Sequence, residues 1–326
     1  MTELNTLLTF VPYFKPVLWG GDKIAVLKQI ESPRADIGES WEISAVPGHE
    51  SIVNDGPFKG ASITHLVERF GERLVGKKVI EKWGNTFPLL IKFIDARKNL
   101  SVQVHPNDEI AKKSHASRGK TEMWYIVDAE PNAVIYAGFS KATSLESFFT
   151  SVADGSVLDN ICRFNAEKGQ FFYIPAGTIH AIGAGVLIAE IQETSDISYR
   201  IFDYDRKDSD GNPRRLHVDE ARNAIDFSLD TWNPCKIPQQ TKANIIDCDF
   251  FRVDFITPKS AQPLVFKNPD SDSFFIVMAV HGDIVCNIGD NTFSLPLGHT
   301  GLIPAAVNSF SIQSDNPFLL VSHPSR

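Results

Sequence analysis

Four polar residues whose types suit a metal ion lie on three short segments that the sequence predicts to be strands. Gln103 and His105 are two residues apart, so their side chains leave the same face of one strand. Glu122 and His180 lie on two further strand-like segments. An amide oxygen, a carboxylate and two imidazoles together suit a divalent metal. We therefore expect a metal site inside a β-barrel, and we place the chemistry there.

Each of these ligands has a simpler alternative interpretation. Gln103 taken alone could be a hydrogen-bonded strand residue, and Glu122 could form a salt bridge with Lys120, its neighbour on the same face. A single histidine in a strand, such as His180, is more often a core residue bonded to a carbonyl. The combined set suits zinc, and it also suits Mn²⁺, Fe²⁺ or Co²⁺.

The residues before His180 resemble the second sequence motif of the cupin barrel. Gly169 is followed by Pro175 and Gly177, which predict a turn between two strands. His180 then points inward, which favours its role as a ligand. The cupin motif usually has Asn four residues later, and this chain has Ala184 there.

The rest of the chain predicts strands and a few helices that position these residues. Residues 251–255 alternate between apolar and charged side chains, the pattern of a half-buried strand. Helices are predicted at about residues 62–76, 143–155 and 217–226. The second helix has a capping box from Thr143 to Glu146 and should end at Gly155.

The chain repeats part of its own pattern. Residues 125–127 resemble residues 275–277, at an offset of 150, and residues 169–176 resemble residues 298–305, at an offset of 129. The difference of 21 residues matches a helical insert between Lys141 and Ile161. We therefore predict a mainly β fold of two cupin (jelly-roll-like) barrels, with a few inserted helices.

The duplication divides the chain into two predicted domains. These are residues 1–240, a metal-binding catalytic cupin domain with the helical insertions, and residues 241–326, a smaller cupin-like β domain, joined near residues 234–244. In the second copy Asp272 corresponds to Glu122, and Ser309 corresponds to His180. We therefore expect the second barrel to lack the metal and to cover one end of the first.

Composition limits the class of protein. The chain has 326 residues and a formal net charge of −8, which argues against nucleic-acid binding but permits a small anionic substrate. No stretch approaches the ~20 apolar residues of a membrane span, and residues 1–19 lack a signal-peptide pattern. The 4 cysteines have neither disulfide nor zinc-site spacing. We expect a cytoplasmic protein without a membrane or nucleic-acid partner.

Several separate motifs, occurring in order, resemble one family. They are residues 19–21, 38–44, 87–92, 100–108, 119–124 and 199–206. The chain is similar to type I mannose-6-phosphate isomerase (phosphomannose isomerase) in its short bacterial form. This likeness runs from about Trp19 to Arg215.

The resemblance implies a zinc-dependent enzyme, with one Zn²⁺ per chain, that interconverts mannose 6-phosphate and fructose 6-phosphate. The family's residues carry over as metal ligands onto Gln103, His105, Glu122 and His180, as catalytic residues onto Lys120, Glu190 and Arg200, and as substrate-binding residues onto Lys92, Ser101 and Arg200.

The residue types suit that reaction independently of the resemblance. Aldose–ketose isomerisation moves a proton between C1 and C2 through an enediol, so it needs a base, a proton shuttle and a cation. Glu190 is the preferred base, with Lys120 and metal-bound water as alternatives, and Glu193 is a rival carboxylate. Arg200 could hold the phosphate or neutralise the enediolate.

Two other functions compete with the isomerase. A metal-dependent cupin oxygenase would favour more imidazole ligands, and Gln103 argues against it. A non-catalytic sugar-phosphate-binding protein with two cupin barrels is disfavoured by the intact candidate base and ligand set. We expect a monomer or a weak homo-oligomer.

Overall fold

The computed structural model confirms the predicted mainly β fold. It describes residues 4–30, 35–207, 210–228, 240–259 and 262–324, and the backbone of residues 235–236. The strands are β1 (Leu8–Thr9), β2 (Tyr13–Gly21), β3 (Ile37–Ile43), β4 (Leu89–Ala96), β5 (Val102–Val104), β6 (Glu122–Ala129), β7 (Val134–Phe139), β8 (Ile161–Asn165), β9 (Gln170–Ile174), β10 (His180–Ile182), β11 (Val186–Glu193), β12 (Tyr199–Phe202), β13 (Cys235–Lys236), β14 (Lys242–Asp247), β15 (Arg252–Ile256), β16 (Leu264–Lys267), β17 (Phe275–Met278), β18 (Ile284–Ile288), β19 (Asn291–Leu295), β20 (Thr300–Ile303), β21 (Ser309–Gln313) and β22 (Phe318–Ser322). The α-helices are α1 (Lys23–Leu27), α2 (Ile63–Phe70), α3 (Glu72–Val75), α4 (Lys77–Trp83), α5 (Asp108–His115), α6 (Leu145–Asp154) and α7 (Val218–Ala224).

The strands form four antiparallel sheets that pack in two pairs. The first pair has a seven-stranded sheet, in the order β13-β9-β6-β11-β4-β3-β2, and a five-stranded sheet, in the order β12-β5-β10-β7-β8. The second pair has a six-stranded sheet, β1-β20-β17-β22-β15-β14, and a four-stranded sheet, β16-β21-β18-β19. Apolar side chains from both members of each pair fill the space between them.

The strand order confirms the predicted duplication. The sequence β9-β6-β11-β4 of the first pair recurs as β20-β17-β22-β15 in the second, and β5-β10-β7-β8 recurs as β16-β21-β18-β19. Helix α6 lies between β7 and β8, whereas β18 and β19 follow one another closely. The helix is therefore the insert that makes the two sequence offsets differ.

The predicted helix at residues 62–76 is broken into two. Gly71 ends α2 and begins α3, and its φ of 48° lies in a region that favours glycine. Leu66 and Leu74 are buried on either side of this break. The apolar spacing therefore predicted the buried face correctly but did not reveal the break.

The predicted capping box of α6 is wrong by one residue. The N-cap is Ser144, not Thr143, and its hydroxyl accepts a hydrogen bond from the backbone N–H of Ser147 at 3.2 Å. Gly155 ends the helix in the left-handed conformation, as predicted. Helix α7 begins after His217, also as predicted, whereas α1, α4 and α5 were not predicted.

The two pairs of sheets share a large apolar core. The outer face of the seven-stranded sheet packs with α2, α3 and the six-stranded sheet around residues such as Phe87 and Phe274, whose ring centroids lie 5.0 Å apart. Strand β1 belongs to the second pair, since Leu8 pairs with Leu302 of β20. The domain division at residue 240 stays a prediction, because much of the predicted junction lies outside the described residues.

No helix in the described part of the chain combines the length and apolar character needed to cross a membrane.

Candidate active site

Three buried side chains form the centre of the site. Nε2 of His105 lies 3.4 Å from Oε2 of Glu122, and Nε2 of His180 lies 3.5 Å from Oε1 of the same carboxylate. One ligand atom from each residue lies within 4.8 Å of the others. Glu122 begins β6, His180 begins β10, and His105 directly follows β5. Strands from both sheets of the first pair therefore bring these side chains together.

Backbone carbonyls fix which ring nitrogen of each histidine faces Glu122. Nδ1 of His105 lies 3.0 Å from the carbonyl oxygen of Ile197, and Nδ1 of His180 lies 2.9 Å from that of Thr178. Because a carbonyl only accepts, each Nδ1 carries the proton and each Nε2 has a lone pair. Lone pairs on nitrogen and oxygen therefore face each other. A cation between them makes this arrangement favourable, so the cluster fits a divalent metal.

The Lys120 ammonium balances the charge of Glu122 but reaches only one side of the cluster. Its Nζ lies 2.8 Å from Oε2 of Glu122 and 3.1 Å from Nε2 of His105. Among the described residues, Nε2 of His180 and Oε1 of Glu122 have no hydrogen-bond partner. Since buried polar atoms are normally paired, these two atoms are consistent with a site for an ion.

The surroundings set the protonation states that a metal requires. Burial, and then the positive charge of Lys120, lower the pKa of His105 to about 3. Burial also lowers the pKa of His180. Burial alone would raise the pKa of Glu122, but the Lys120 ammonium holds that pKa well below its ordinary value. Neutral imidazoles and an ionised carboxylate are the forms that bind metal ions.

Gln103 lies beside this cluster in the middle of β5. It pairs with His180 of β10 on one side and with Arg200 of β12 on the other. Directly opposed residues of antiparallel strands share one face of the sheet, so these three side chains leave the same face. Gln103 also lines the same cavity as Glu122. Its role as a metal ligand stays a prediction.

A cavity of about 380 Å³ opens beside the cluster. The predicted site residues that line it are Lys92, Ser101, Gln103, Lys120, Glu122, Glu190 and Arg200. Part of its wall is a row of directly opposed residues on β3, β4, β11 and β6, namely Trp41, Lys92, Glu190 and Trp124. The structure therefore brings together the predicted catalytic and substrate-binding residues, although their roles stay predictions.

Two carboxylates hold the Lys92 ammonium within this wall. Its Nζ lies 3.2 Å from Glu190 and 3.5 Å from Glu39. Burial alone would lower the pKa of Lys92, but Glu190 and Glu39 raise that pKa above its ordinary value. Burial raises the pKa of Glu190 and outweighs the opposing effects of Lys92 and Lys120. A carboxyl group with a raised pKa suits a general base near neutral pH.

Arg200 contributes a positive charge from β12. Its Nη1 donates to the carbonyl oxygen of Arg215 at 2.9 Å, whereas its buried Nε has no hydrogen-bond partner among the described residues. Burial and the positive charge of Arg214 lower the pKa of Arg200. Arg214 also lines the cavity, and Asp203 holds it at 3.1 Å. An anion bound here would complete the hydrogen bonding of Arg200 and offset the repulsion between the two arginines.

Sequence reasoning missed several residues of the cavity wall. Among them are Lys15, Glu39, Trp41 and Arg214. Glu39 accepts a hydrogen bond from Nε1 of Trp41 at 2.7 Å and lies 3.3 Å from Lys15. Burial alone would raise the pKa of Glu39, but Lys92 and Lys15 lower it to about 2. The two-residue spacing of Glu39 and Trp41 was the available signal that both share one face of β3.

The sequence of this chain matches curated proteins over most of its length. The mannose-6-phosphate isomerase ManA of Bacillus subtilis (strain 168) is 34% identical over 311 residues, which cover 94% of this chain and 95% of the relative. This chain belongs to the type I phosphomannose isomerase family. The family model for the type I catalytic domain matches residues 7–135. Because the match to the Bacillus relative covers 94% of this chain, the likeness extends beyond residue 206, where the sequence motifs end.

A second relative and one solved structure agree with this family, and a further solved structure shares the fold. A mannose-6-phosphate isomerase of Streptococcus mutans is 38% identical over 208 residues, which cover 64% of each chain. The crystal structure of the Bacillus subtilis isomerase superimposes with a TM-score of 0.86 at 31% identity, over 98% of this chain and 99% of that one. A zinc-bound mannose 6-phosphate isomerase has a TM-score of 0.80 over 98% and 99% of the two chains, and its 14% identity shows the shared fold alone.

Proposed function

We propose that this chain is a metal-dependent aldose–ketose isomerase that interconverts mannose 6-phosphate and fructose 6-phosphate through an enediol. The observation that supports this most directly is the cluster of His105, Glu122 and His180 beside a cavity that also holds Glu190 and Arg200. Membership of the phosphomannose isomerase family gives the substrate class. Neither the oxygenase nor the non-catalytic alternative gains support from these features.

The proposed cofactor is one Zn²⁺ per chain. Its proposed ligands are Gln103, His105, Glu122 and His180. When bound, the ion supplies a positive charge that polarises the two oxygens between which the substrate's carbonyl moves. The remaining steps are assigned to the side chains of the cavity.

Glu190 is the proposed base that carries the proton between C1 and C2. Its raised pKa favours proton uptake, and its position 3.2 Å from Lys92 and 3.6 Å from Lys120 keeps the carboxylate between two cations. Lys120 is the proposed proton donor to the sugar oxygens, since it lies between Glu190 and Glu122. The two roles are complementary, because each proton lost from carbon must be matched by a proton on oxygen.

Arg200 and Ser101 are proposed to bind the substrate's phosphate. Both line the cavity, and Nε of Arg200, which has no partner among the described residues, can donate to a phosphate oxygen. Lys92 adds positive charge in the same cavity and holds Glu190. A doubly charged phosphate and a divalent ion offset one another, so the loaded cavity gains little net charge.

We further propose a cytoplasmic enzyme that acts on a small sugar phosphate and not on nucleic acid. The formal net charge of −8 supports the second point. A monomer or a weak homo-oligomer is the proposed assembly, because the second pair of sheets already covers an apolar face of the first.

A coupled assay of mannose 6-phosphate conversion tests the function. The metal-loaded protein should turn over the substrate, a chelator should abolish turnover, and Zn²⁺ should restore it. Full activity in chelated protein whose metal content is zero would contradict the metal dependence. Absence of turnover in protein with one ion per chain would contradict the isomerase itself.

A further inference from the structure

Arg200 lies on a strand that has a partner on one side only. Strand β12 is at the edge of the five-stranded sheet, where Arg200 pairs with Gln103 of β5. The N–H and C=O groups of an edge strand that point away from the sheet have no strand partner. The backbone of Arg200 therefore depends on groups outside the sheet for its position.

His217 satisfies both of these backbone groups. Its N–H donates to the carbonyl oxygen of Arg200 at 2.7 Å, and the N–H of Arg200 donates to its Nδ1 at 3.2 Å. The carbonyl of Arg215, two residues earlier in the chain, accepts from the Arg200 guanidinium. One short segment therefore holds Arg200 at its backbone and at its side chain.

We propose that His217 is a positioning residue for Arg200. Its imidazole takes the place of a neighbouring strand at the sheet edge and fixes the backbone from which the guanidinium enters the cavity. This inference rests on the proposed function, in which Arg200 contacts the substrate's phosphate.

The contact depends on the protonation state of His217. Nδ1 can accept from the Arg200 N–H only while it carries no proton, so the ring must be neutral with its proton on Nε2. Burial lowers the pKa of His217, which favours that neutral form. The other groups that act on the ring are Glu220 on α7, Arg200 and Tyr199 on β12, Arg215 in the preceding loop and His115 on α5.

A double-mutant cycle tests the coupling between the two residues. His217→Ala should lower kcat/KM about tenfold, the order expected when a hydrogen bond that orients a charged group is lost. In the Arg200→Ala background the same change should lower kcat/KM less than twofold, because the group that it positions is absent. An equal loss in both backgrounds would overturn the proposal.

His217→Asn is the rescuing variant, because Oδ1 of Asn occupies nearly the same position as Nδ1 and accepts without titrating. It should retain kcat/KM within about threefold of the wild type. The ratio of wild-type to Asn-variant kcat/KM should fall as the pH drops below the pKa of His217. A ratio that does not change with pH, or an Asn variant as impaired as the Ala variant, would contradict the proposed contact.

Two further measurements separate positioning from folding and from the function itself. Amide hydrogen exchange of a peptide covering residues 198–202 should become faster in His217→Ala and stay slow in His217→Asn, whether or not the protein is an active isomerase. His65→Ala is the control, because it removes an exposed histidine of α2 and leaves β12 and His217 intact. Unchanged exchange in His217→Ala would overturn the proposal, whereas an inactive wild type would contradict only the proposed function.

Discussion

The two histidines of the site depend on backbone carbonyls for their orientation. Because the carbonyls of Ile197 and Thr178 hold the Nδ1 protons, the rings of His105 and His180 cannot turn without breaking a hydrogen bond. Such partners commonly fix the tautomer of a metal-binding histidine. The main chain therefore orients the two histidines of the proposed metal centre.

His180→Ala should remove bound metal and isomerase activity together. The variant loses one imidazole from a cluster of three buried side chains, so its metal affinity should fall by at least about 100-fold. Emission spectrometry of the purified variant, after dialysis against metal-free buffer, measures the effect. Ser309→Ala is the matched control, since Ser309 is the exposed counterpart in the second copy. An unchanged metal content in His180→Ala would exclude His180 as a ligand.

Glu193 should make the stability of the protein depend on pH. Its Oε1 accepts from the Thr121 N–H at 2.8 Å, and burial raises its pKa to about 8. The unfolded carboxyl has a pKa of about 4.3. Its stabilising effect is therefore fully present below about pH 4 and is lost as the pH rises towards about 8.

Glu193→Gln tests this, because its side-chain oxygen can still accept the Thr121 N–H. The free energy of unfolding, measured with urea from pH 5 to 9, should decline more steeply in the wild type than in this variant. Glu109→Gln, which removes an exposed carboxylate of α5, should decline like the wild type. Parallel curves for the wild type and Glu193→Gln would show that Glu193 titrates normally.

For single residues, the sequence predicts the candidate metal ligands better than it predicts the other residues that line the cavity. The clustering of His105, Glu122 and His180 could be predicted because few other roles combine those side chains with a turn motif. Glu39 and Trp41 could not, since their place in the cavity depends on the pairing of β3 with β4, which lie far apart in sequence.

Ser144 is the N-cap of helix α6. The Ser144 hydroxyl satisfies one of the backbone donors that the first turn leaves without an internal partner. The helix buries Phe148 and Phe149 against the outer face of the five-stranded sheet. Its stability therefore matters for the sheet that carries Gln103 and His180.

Ser144→Ala should lower the free energy of unfolding by about 1 kcal/mol, the usual effect of losing an N-cap. Thr143→Ala, one residue earlier, should lower it by much less, because Thr143 makes no capping bond in the described structure. Urea unfolding of both variants measures the difference. A larger loss of stability in Thr143→Ala than in Ser144→Ala would support Thr143 as the N-cap, as the sequence predicts.

Helices could be predicted from the sequence where their apolar spacing was clear. The 3.6-residue spacing identified the buried faces of α2, α3 and α6. Short helices such as α1, with five residues, were missed because they are too short for a periodic pattern. The break at Gly71 was missed because the apolar spacing continues across it.

At the scale of the whole molecule, a buried ammonium group joins the two pairs of sheets, because it binds a carboxylate of the first pair and a backbone carbonyl beside the second. Nζ of Lys28 lies 2.8 Å from Oε2 of Glu42 on β3 and also donates to the carbonyl of Gly298, beside β20. The Lys28 and Glu42 side chains are 2% and 3% exposed. Because Glu39 and Trp41 lie on the opposite face of β3, this contact also supports one wall of the cavity.

Lys28→Met should lower the free energy of unfolding by about 3–5 kcal/mol, since it leaves the Glu42 charge buried without its partner. Adding Glu42→Gln in the same chain should recover part of that loss, because the unpaired charge is removed. Lys78→Met, which breaks an ion pair with Asp272 at the surface, should have a much smaller effect. Equal losses of stability in Lys28→Met and Lys78→Met would show that the buried ion pair stabilises the protein no more than the surface pair does.

The duplication was visible in the sequence because turn residues recur at fixed offsets. The apolar core shared by the two pairs of sheets was not visible, because it depends on contacts between residues far apart in sequence, such as Phe87 and Phe274. The same reason explains why β1 could not be assigned to the second pair from its sequence.

The pairing of Leu8 with Leu302 bears on how the protein forms in the cell. The ribosome releases Leu8 long before Leu302, so β1 has no pairing partner while nearly three hundred residues are synthesised. Until then the edge of β20 does not exist, so β1 cannot join the six-stranded sheet before Leu302 has emerged. Cleavage between the two pairs of sheets would therefore not yield two fragments that each fold alone, since the second would lack β1, the edge strand of its six-stranded sheet.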